Sequence, residues 1–263
     1  MPSADANMPV TRQSGITLYT ALTSNGIKVS IALEELGLKY KAVEVNLASN
    51  EQKEAWFLKV NPNGRIPAIT DDGQRIFESG SLLIYLTEKY DKSRLISYES
   101  GSKEYYEQLS WLMFQMGGIG PMQGWMPTLN PRLCFILTTR LVGQANHFRL
   151  MAGEYSEYGI NRYMNETKRL YSVLNTRLEC SPYLAGDKYT IADIASFAWV
   201  RYGPIALEID LSEFPALKKW HDKITKRPAV QKGLKVPKAL TEEQLVARYR
   251  AMKEKMEAMK AGL

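Results

Sequence analysis

Asn61 to Gly80 reads NPNGRIPAITDDGQRIFESG, and the fold turns on this stretch. Ile66 to Thr70 and Arg75 to Phe77 are two short β-rich runs, with Asp72-Gly73 between them as hairpin chemistry. Ser79 then opens a stretch whose apolar face is Leu82, Leu83, Leu86 and Tyr90, the spacing of a helix. Toward the N-terminus, Ile16 to Thr20 (ITLYT) and Lys39 to Val45 (KYKAVEV) are strand-like. Between them Val29, Ala32, Leu33 and Leu36 recur at helical spacing, with Gly37 where the helix should stop. Trp56, Phe57 and Val60 mark a second helix.

The resulting order, β-α-β-α-β-β-α, predicts a small mixed sheet with helices on its faces, a thioredoxin-like α/β domain over residues 15–91. Periodicity lapses across 92–102, where Ser, Gly and charge accumulate, as in a linker. Beyond it the patterns are helical only, giving an all-α domain over 103–235. One apolar stripe is Tyr105, Leu109, Leu112, Met113 and Met116; another is Tyr163, Thr167, Leu170, Leu174 and Leu178. Ile191 to Val200 is nearly all apolar and predicts a buried helix. Its start, Thr190-Ile-Ala-Asp193, is a capping box, with Tyr189 and Ile194 placed as a hydrophobic staple. Pro215 begins a further helix bearing Leu217, Trp220 and Ile224. The tail, 236–263, carries a second capping box at Thr241 to Gln244. Leu245, Tyr249, Met252, Met256 and Met259 then line one side of an amphipathic helix. Residues 1–14 are expected to form a flexible arm.

Composition narrows the function. The 263 residues are 45% hydrophobic and 24% charged, which is globular and neither disordered nor collagenous. Two cysteines, Cys134 and Cys180, exclude a dense disulfide framework and fit a reducing compartment. MPSADANMPVTRQSG at the start has no apolar core, so no secretory leader is expected, and no run approaches the ~20 apolar residues of a membrane helix. The expectation is a cytoplasmic protein with no membrane or nucleic-acid partner. The net charge of +6 does not argue otherwise. From Lys232 onward there are eight basic and four acidic residues, so most of the excess is in the tail. The only histidines are His147 and His221, with no Cys/His cluster at ligand spacing, no P-loop and no GxGxxG, so no metal and no phosphate cofactor is expected.

Three places can carry chemistry. In Arg65-Ile66-Pro67, a cis proline before a strand would turn the Ile66 N–H and C=O toward an extended peptide ligand; an ordinary trans loop is the alternative. At Phe77-Glu78-Ser79-Gly80, a helix N-terminus with a hydroxyl suits a carboxylate, and Glu78 suits an ammonium. Simple capping by Ser79 is the alternative there. In Thr23-Ser24-Asn25-Gly26, hydroxyl, amide and helix-end N–H groups can stabilise a thiolate, or merely cap a turn. A free thiol titrates near ~8.5, and lowering that by ~2 units needs ~2.7 kcal/mol. One hydrogen bond to the anion, about 1.5–3 kcal/mol, plus a helix end, about 0.3–1 kcal/mol, suffices.

These three places, in this order and with Thr190-Ile-Ala-Asp193-Ile, resemble the glutathione transferases from about Ile16 to Lys232. LEELGL, NPNGRIPAI, FESG, WLMFQMGGIGPMQG, RYMNETKRLY and IADIASFAWV resemble in particular the fungal nitrogen-catabolite-regulator-like branch and its bacterial disulfide-reducing relatives. The resemblance implies glutathione as substrate or co-substrate and a homodimer. It implies that Glu78 and Ser79 hold the γ-glutamyl end. Ile66 would pair with the cysteinyl backbone across a cis Pro67, Gln52 and Arg65 would lie near the glycyl end, and Arg162 would reach glutathione in the other subunit. Beside the sulfur it implies Asn25, then Thr23 and Ser24, although some classes use a tyrosine at the position of Tyr19. No cysteine stands there, so the chain itself should form no mixed disulfide with glutathione. The expected activity is transfer of glutathione to a hydrophobic electrophile. The alternatives are glutathione-dependent disulfide or peroxide reduction, and a glutathione-binding regulator; the last expects an Asn-rich arm that residues 1–14 do not hold. In relatives GPMQ runs directly into GQANHF. Here GWMPTLNPRLCFILTTRLV intervenes between Gln123 and Gly143, an insert over about 125–143 that is either a lengthened helix connection or translated intron.

Overall fold

A computed structural model describes residues 15–123, 144, 145 and 156–239, and in the tail 243, 244, 246, 247, 250, 251, 254 and 258. The arm, the insert, Cys134, His147, and the tail's capping threonine and apolar stripe lie outside the described residues. The described residues from 243 onward are helical and exposed.

The first half contains β1 (Ile16–Thr20), α1 (Ser24–Glu35), β2 (Tyr40–Glu44), α2 (Ala55–Val60), β3 (Ala68–Asp71), β4 (Gln74–Phe77) and α3 (Ser79–Tyr90). The four strands are ordered β2-β1-β3-β4. β1 runs parallel to β2 and antiparallel to β3, with Leu18 opposite Ile69, and β3 and β4 form the antiparallel hairpin. The strand expected from Ile66 begins two residues later, at Ala68. Pro67 supplies no ladder donor, so the pairing starts beyond it.

Alternation along β1 divides the core. Leu18 joins the large cluster with α1, α3 and the helical half, whereas Tyr19 packs on the other side with Trp56, Phe57, Val60 and Ile66. Tyr19 lies 6.1 Å from Trp56 and 6.2 Å from Phe57, centroid to centroid. Its ring is thereby part of a packed aromatic group on the α2 face.

The second half contains α4 (Lys103–Phe114), a π-helical turn (Gln115–Ile119), α5 (Gly120–Gln123), α6 (Glu157–Cys180), α7 (Ile191–Val200), α8 (Gly203–Ala206), α9 (Pro215–Thr225) and α10 (Pro228–Gly233). All ten residues of α7 are buried. Its capping box is present, and Asp193 extends it. One carboxylate oxygen accepts from the Thr190 N–H at 2.9 Å; the other accepts from the Leu184 N–H at 3.0 Å and the Trp220 indole at 2.9 Å. Met113, expected on the buried stripe of α4, is instead 51% exposed. Tyr105, Leu109, Leu112 and Met116 step by four, three and four and so share a face; Met113 lies about 100° round from Leu112.

α1 is held from several sides, by α3, α7 and α10. Arg227 forks onto Glu35 at 2.6 and 2.7 Å, and the Ser30 hydroxyl donates to the Gly233 carbonyl at 2.8 Å. The approach is so close that a Cβ on Gly233 would stand 2.7 Å from the Ile31 Cα and N. Backbone cannot yield as a side-chain tip does. Gly233→Ala is therefore expected to lower stability by about 1–3 kcal/mol through overpacking. The urea midpoint checks this, and an unchanged midpoint would refute the packing argument.

Candidate functional site

α1 begins because Thr23 caps it. In extended geometry, Thr23 turns its hydroxyl oxygen to accept from the Gly26 N–H at 3.0 Å. Ser24, the first helical residue, is buried, and its hydroxyl has no partner among the described residues. Asn25 is half-buried, and its Oδ1 accepts from the Trp199 indole N–H at 3.2 Å. An indole nitrogen only donates. The amide orientation is thus settled: oxygen toward Trp199, NH2 away from it. Trp199 comes from α7, so the helical half orients a side chain of the thioredoxin-like half.

α3 begins without a side-chain cap. Its N-cap is Glu78, not Ser79, and no cap hydrogen bond forms, so the simple-capping alternative for Ser79 does not hold. Glu78 sits at φ 69°, ψ 118°, a sparsely populated region for a residue with a Cβ. Such a conformation costs about 1–3 kcal/mol and tends to mark functional sites. It leaves the Glu78 side chain exposed, with Oε1 accepting from Asn63 Nδ2 at 3.3 Å. Ser79 is 3% exposed, and its hydroxyl lies 3.5 Å from Asn25 Oδ1. The N-termini of α1 and α3 therefore meet, and the residues expected from two separate sequence motifs become one group.

Lys28 joins them and was not expected. Its side chain is fully buried, with Nζ 3.2 Å from Ser79 Oγ, 3.4 Å from Met116 Sδ and 5.8 Å from the Trp199 ring centre. Burial pushes its ammonium down to about 7, against the opposing pull of Glu78. A lysine on a helix with a recognisable apolar stripe reads as part of the solvated face. The one available hint was that it falls within an otherwise uncharged run, Ser24 to Leu33.

The loop before β3 is braced by Asn61, whose Nδ2 donates to the Arg65 carbonyl at 2.6 Å. The Ile66–Pro67 peptide is cis, as the peptide-binding reading expects. Ile66 is half-buried, Pro67 buried and Arg65 exposed. Gln52 is brought to this loop. A Cβ on Gly64, which takes φ 60°, would stand 2.8 Å from the Gln52 carbonyl. The Gln52 side chain is 1% exposed and donates to Asn50 at 3.1 Å. Arg162 lies apart on α6. It reaches the Tyr158 hydroxyl at 3.4 Å and lines a cavity of about 460 Å³ with Met122, Tyr163 and Arg169. Among the described residues no group of three or more His, Cys, Asp or Glu is placed to hold a metal. No described helix is long and apolar enough to cross a membrane.

Residues 14–88 match the family model described as glutathione S-transferase, N-terminal domain, and residues 129–228 match that of the C-terminal domain. The chain belongs to the glutathione S-transferase family. Among curated relatives of this glutathione S-transferase-family chain, the disulfide-bond oxidoreductase YfcG of Escherichia coli (strain K12) is 41% identical over 226 residues. That alignment covers 83% of this chain and 94% of YfcG. Among solved structures, a glutathione transferase homologue from Lodderomyces elongisporus, with two GSH per subunit, superposes with a TM-score of 0.75 at 44% identity. It covers 85% of this chain and 99% of that one. The transferase URE2P6 from Phanerochaete chrysosporium, in complex with oxidised glutathione, gives 0.74 at 38% identity, covering 85% and 96%.

Proposed function

We propose that this glutathione S-transferase-family protein binds glutathione where α1 and α3 begin and uses the bound thiolate to reduce disulfides. The observation that carries the reading is the Asn25 amide, held by Trp199 so that its two N–H donors face away from the indole, beside a helix N-terminus. Asn25, with Thr23 and Ser24, faces the sulfur. Ser79 and the first turn of α3 take the α-carboxylate of the γ-glutamyl end, and Glu78 takes its ammonium. Ile66 offers its backbone to the cysteinyl residue before Pro67, and Gln52 and Arg65 stand at the glycyl end. Arg162 serves the glutathione of a second subunit in a homodimer. Tyr106 and Met113, seven residues apart on α4, are 60% and 51% exposed and would suit such an interface.

Two considerations favour reduction over conjugation. Residues 23–25 hold no cysteine, so glutathione itself must be the attacking thiol. The relatives described above include an enzyme named as a disulfide-bond oxidoreductase and structures holding two GSH or oxidised glutathione. The reaction balances with two glutathiones. The first thiolate attacks one sulfur of the disulfide, forms a mixed disulfide and expels the other sulfur as a thiolate. The second glutathione attacks the mixed disulfide, giving oxidised glutathione and the second thiol. Conjugation to an electrophilic carbon is the second reading, since the same activated sulfur serves it. A paired assay separates them. Purified protein is expected to turn over glutathione with hydroxyethyl disulfide faster than with an aromatic chloride. Activity with the chloride alone would overturn the reductase reading.

A further inference from the structure

A fully buried lysine needs a reason. Removing an ammonium from water is costly unless it is paired, and among the described residues the one charge that pulls on Lys28 is the exposed Glu78. A methionine of similar volume would fill the space more cheaply. What the lysine adds is polarity. An ammonium donates and never accepts. With Lys28 donating to Ser79 Oγ at 3.2 Å, the Ser79 proton cannot point at Lys28 and must be turned to another acceptor. Within the protein the acceptors in reach are Asn25 Oδ1, at the long distance of 3.5 Å and already occupied by Trp199, and Met116 Sδ at 3.7 Å, a weak acceptor. Two donor-only groups, Lys28 behind Ser79 and Trp199 behind Asn25, therefore commit the cluster to offering protons outward. That is the requirement for an anion.

We propose that Lys28 is the positioning residue of the carboxylate subsite: its ammonium commits the Ser79 hydroxyl to donate to the ligand's α-carboxylate and supplies positive charge behind it. This rests on the glutathione reading above and adds a protonation requirement to it. The groups that face Lys28 are Glu78 and Ser79 from the start of α3, Met116 from the π-turn after α4, and Trp199 from α7. Of these, Glu78 alone carries a carboxylate. In the free protein the ammonium is held near 7; a bound carboxylate raises it. Ligand affinity is therefore full below neutrality and falls as pH rises past that value, with a proton taken up on binding.

The test uses S-methylglutathione, whose sulfur does not titrate, in calorimetry from pH 6 to 8.5 in two buffers of different ionisation heat. Wild type is expected to lose about tenfold in affinity across that range and to take up about half a proton or more near pH 8. Lys28→Met is expected to bind about tenfold more weakly at pH 6, with a flat profile and no proton uptake, while its thermal midpoint is unchanged or higher. A Lys28→Met protein with wild-type affinity, slope and proton uptake overturns the proposal. So does a flat wild-type profile, which needs no variant to fold. If wild type binds S-methylglutathione at no pH, the glutathione reading itself falls and takes this proposal with it. Binding that ignores Lys28 removes this proposal alone.

Discussion

Asp193→Ala is expected to remove a third or more of the protein's stability. Its carboxylate is fully buried and accepts the Thr190 and Leu184 N–H groups and the Trp220 indole, with the Thr190 hydroxyl at 3.3 Å. Alanine leaves three nitrogen donors buried without acceptors, each costing about 1–3 kcal/mol. The total, on the order of 5 kcal/mol, compares with about 5–15 kcal/mol for a whole domain. The urea midpoint and the soluble yield at 25 °C report it; a loss within ~0.5 kcal/mol, the range of an ordinary surface change, would refute this account of the lock. Asp193→Asn does not rescue it fully, because the amide NH2 must face donors on one side. The pH dependence is unusual in sign. Burial pushes the Asp193 carboxyl up to about 6, against its hydrogen bonds, whereas an unfolded aspartate titrates near 3.9. Between those values the folded chain binds more proton than the unfolded one. The contribution of Asp193 to stability is therefore greatest at acid pH and is lost as pH rises from about 4 to 6. Asp193→Asn lacks that component.

Asn25→Ala is the second large effect, and it acts chiefly on rate, since in the fold it leaves a single donor, the Trp199 indole, without its acceptor. A hydrogen bond to a thiolate is worth about 1.5–3 kcal/mol. Its loss should lower kcat/KM at pH 7 by about 10–100-fold and move the alkaline rise of the pH–rate profile up by about 1–2 units. Above the shifted value much of the activity returns, since the thiolate then forms unaided. Trp199→Phe keeps an aromatic ring and removes only the donor. It should shift the profile in the same direction by less, because the Asn25 amide then loses its fixed orientation while remaining present. Stopped-flow rates with hydroxyethyl disulfide from pH 6 to 10 measure both. A fall in rate that is equal at every pH would place Asn25 away from the sulfur.

What was legible in the sequence was local. Asp72-Gly73 between β-rich runs gave the hairpin, and Thr190-Ile-Ala-Asp193 before an apolar run gave the start of α7 with its box intact. Each such signal is complete within a few residues. Pro67 shortened β3 because a missing donor outweighs β-propensity. The site was legible as three motifs but not as one group. Ser79 meets Asn25 across 54 residues and Trp199 meets Asn25 across 174, and no periodicity encodes such a contact. Lys28 was missed for a related reason. A helix read from one apolar stripe is assumed to have a wet back, and α1 is enclosed by α3, α7 and α10 instead. The positive φ of Glu78 has no sequence signature, since the chain imposes it on an ordinary glutamate.

The arrangement of α7 ties two phenotypes together. Asp193 locks its foot and Trp199 stands near its other end, six residues on, so one rod about 9 Å long joins the anchor of the helical half to the Asn25 amide, proposed above to face the sulfur. Tilt at the foot becomes displacement at the tip. Changes around Tyr183 to Thr190, far along the chain from any ligand contact, would first be noticed as a drift in the pH optimum and only later as loss of fold. Natural variation in that segment is then a means of retuning the chemistry while leaving the residues that touch it unaltered.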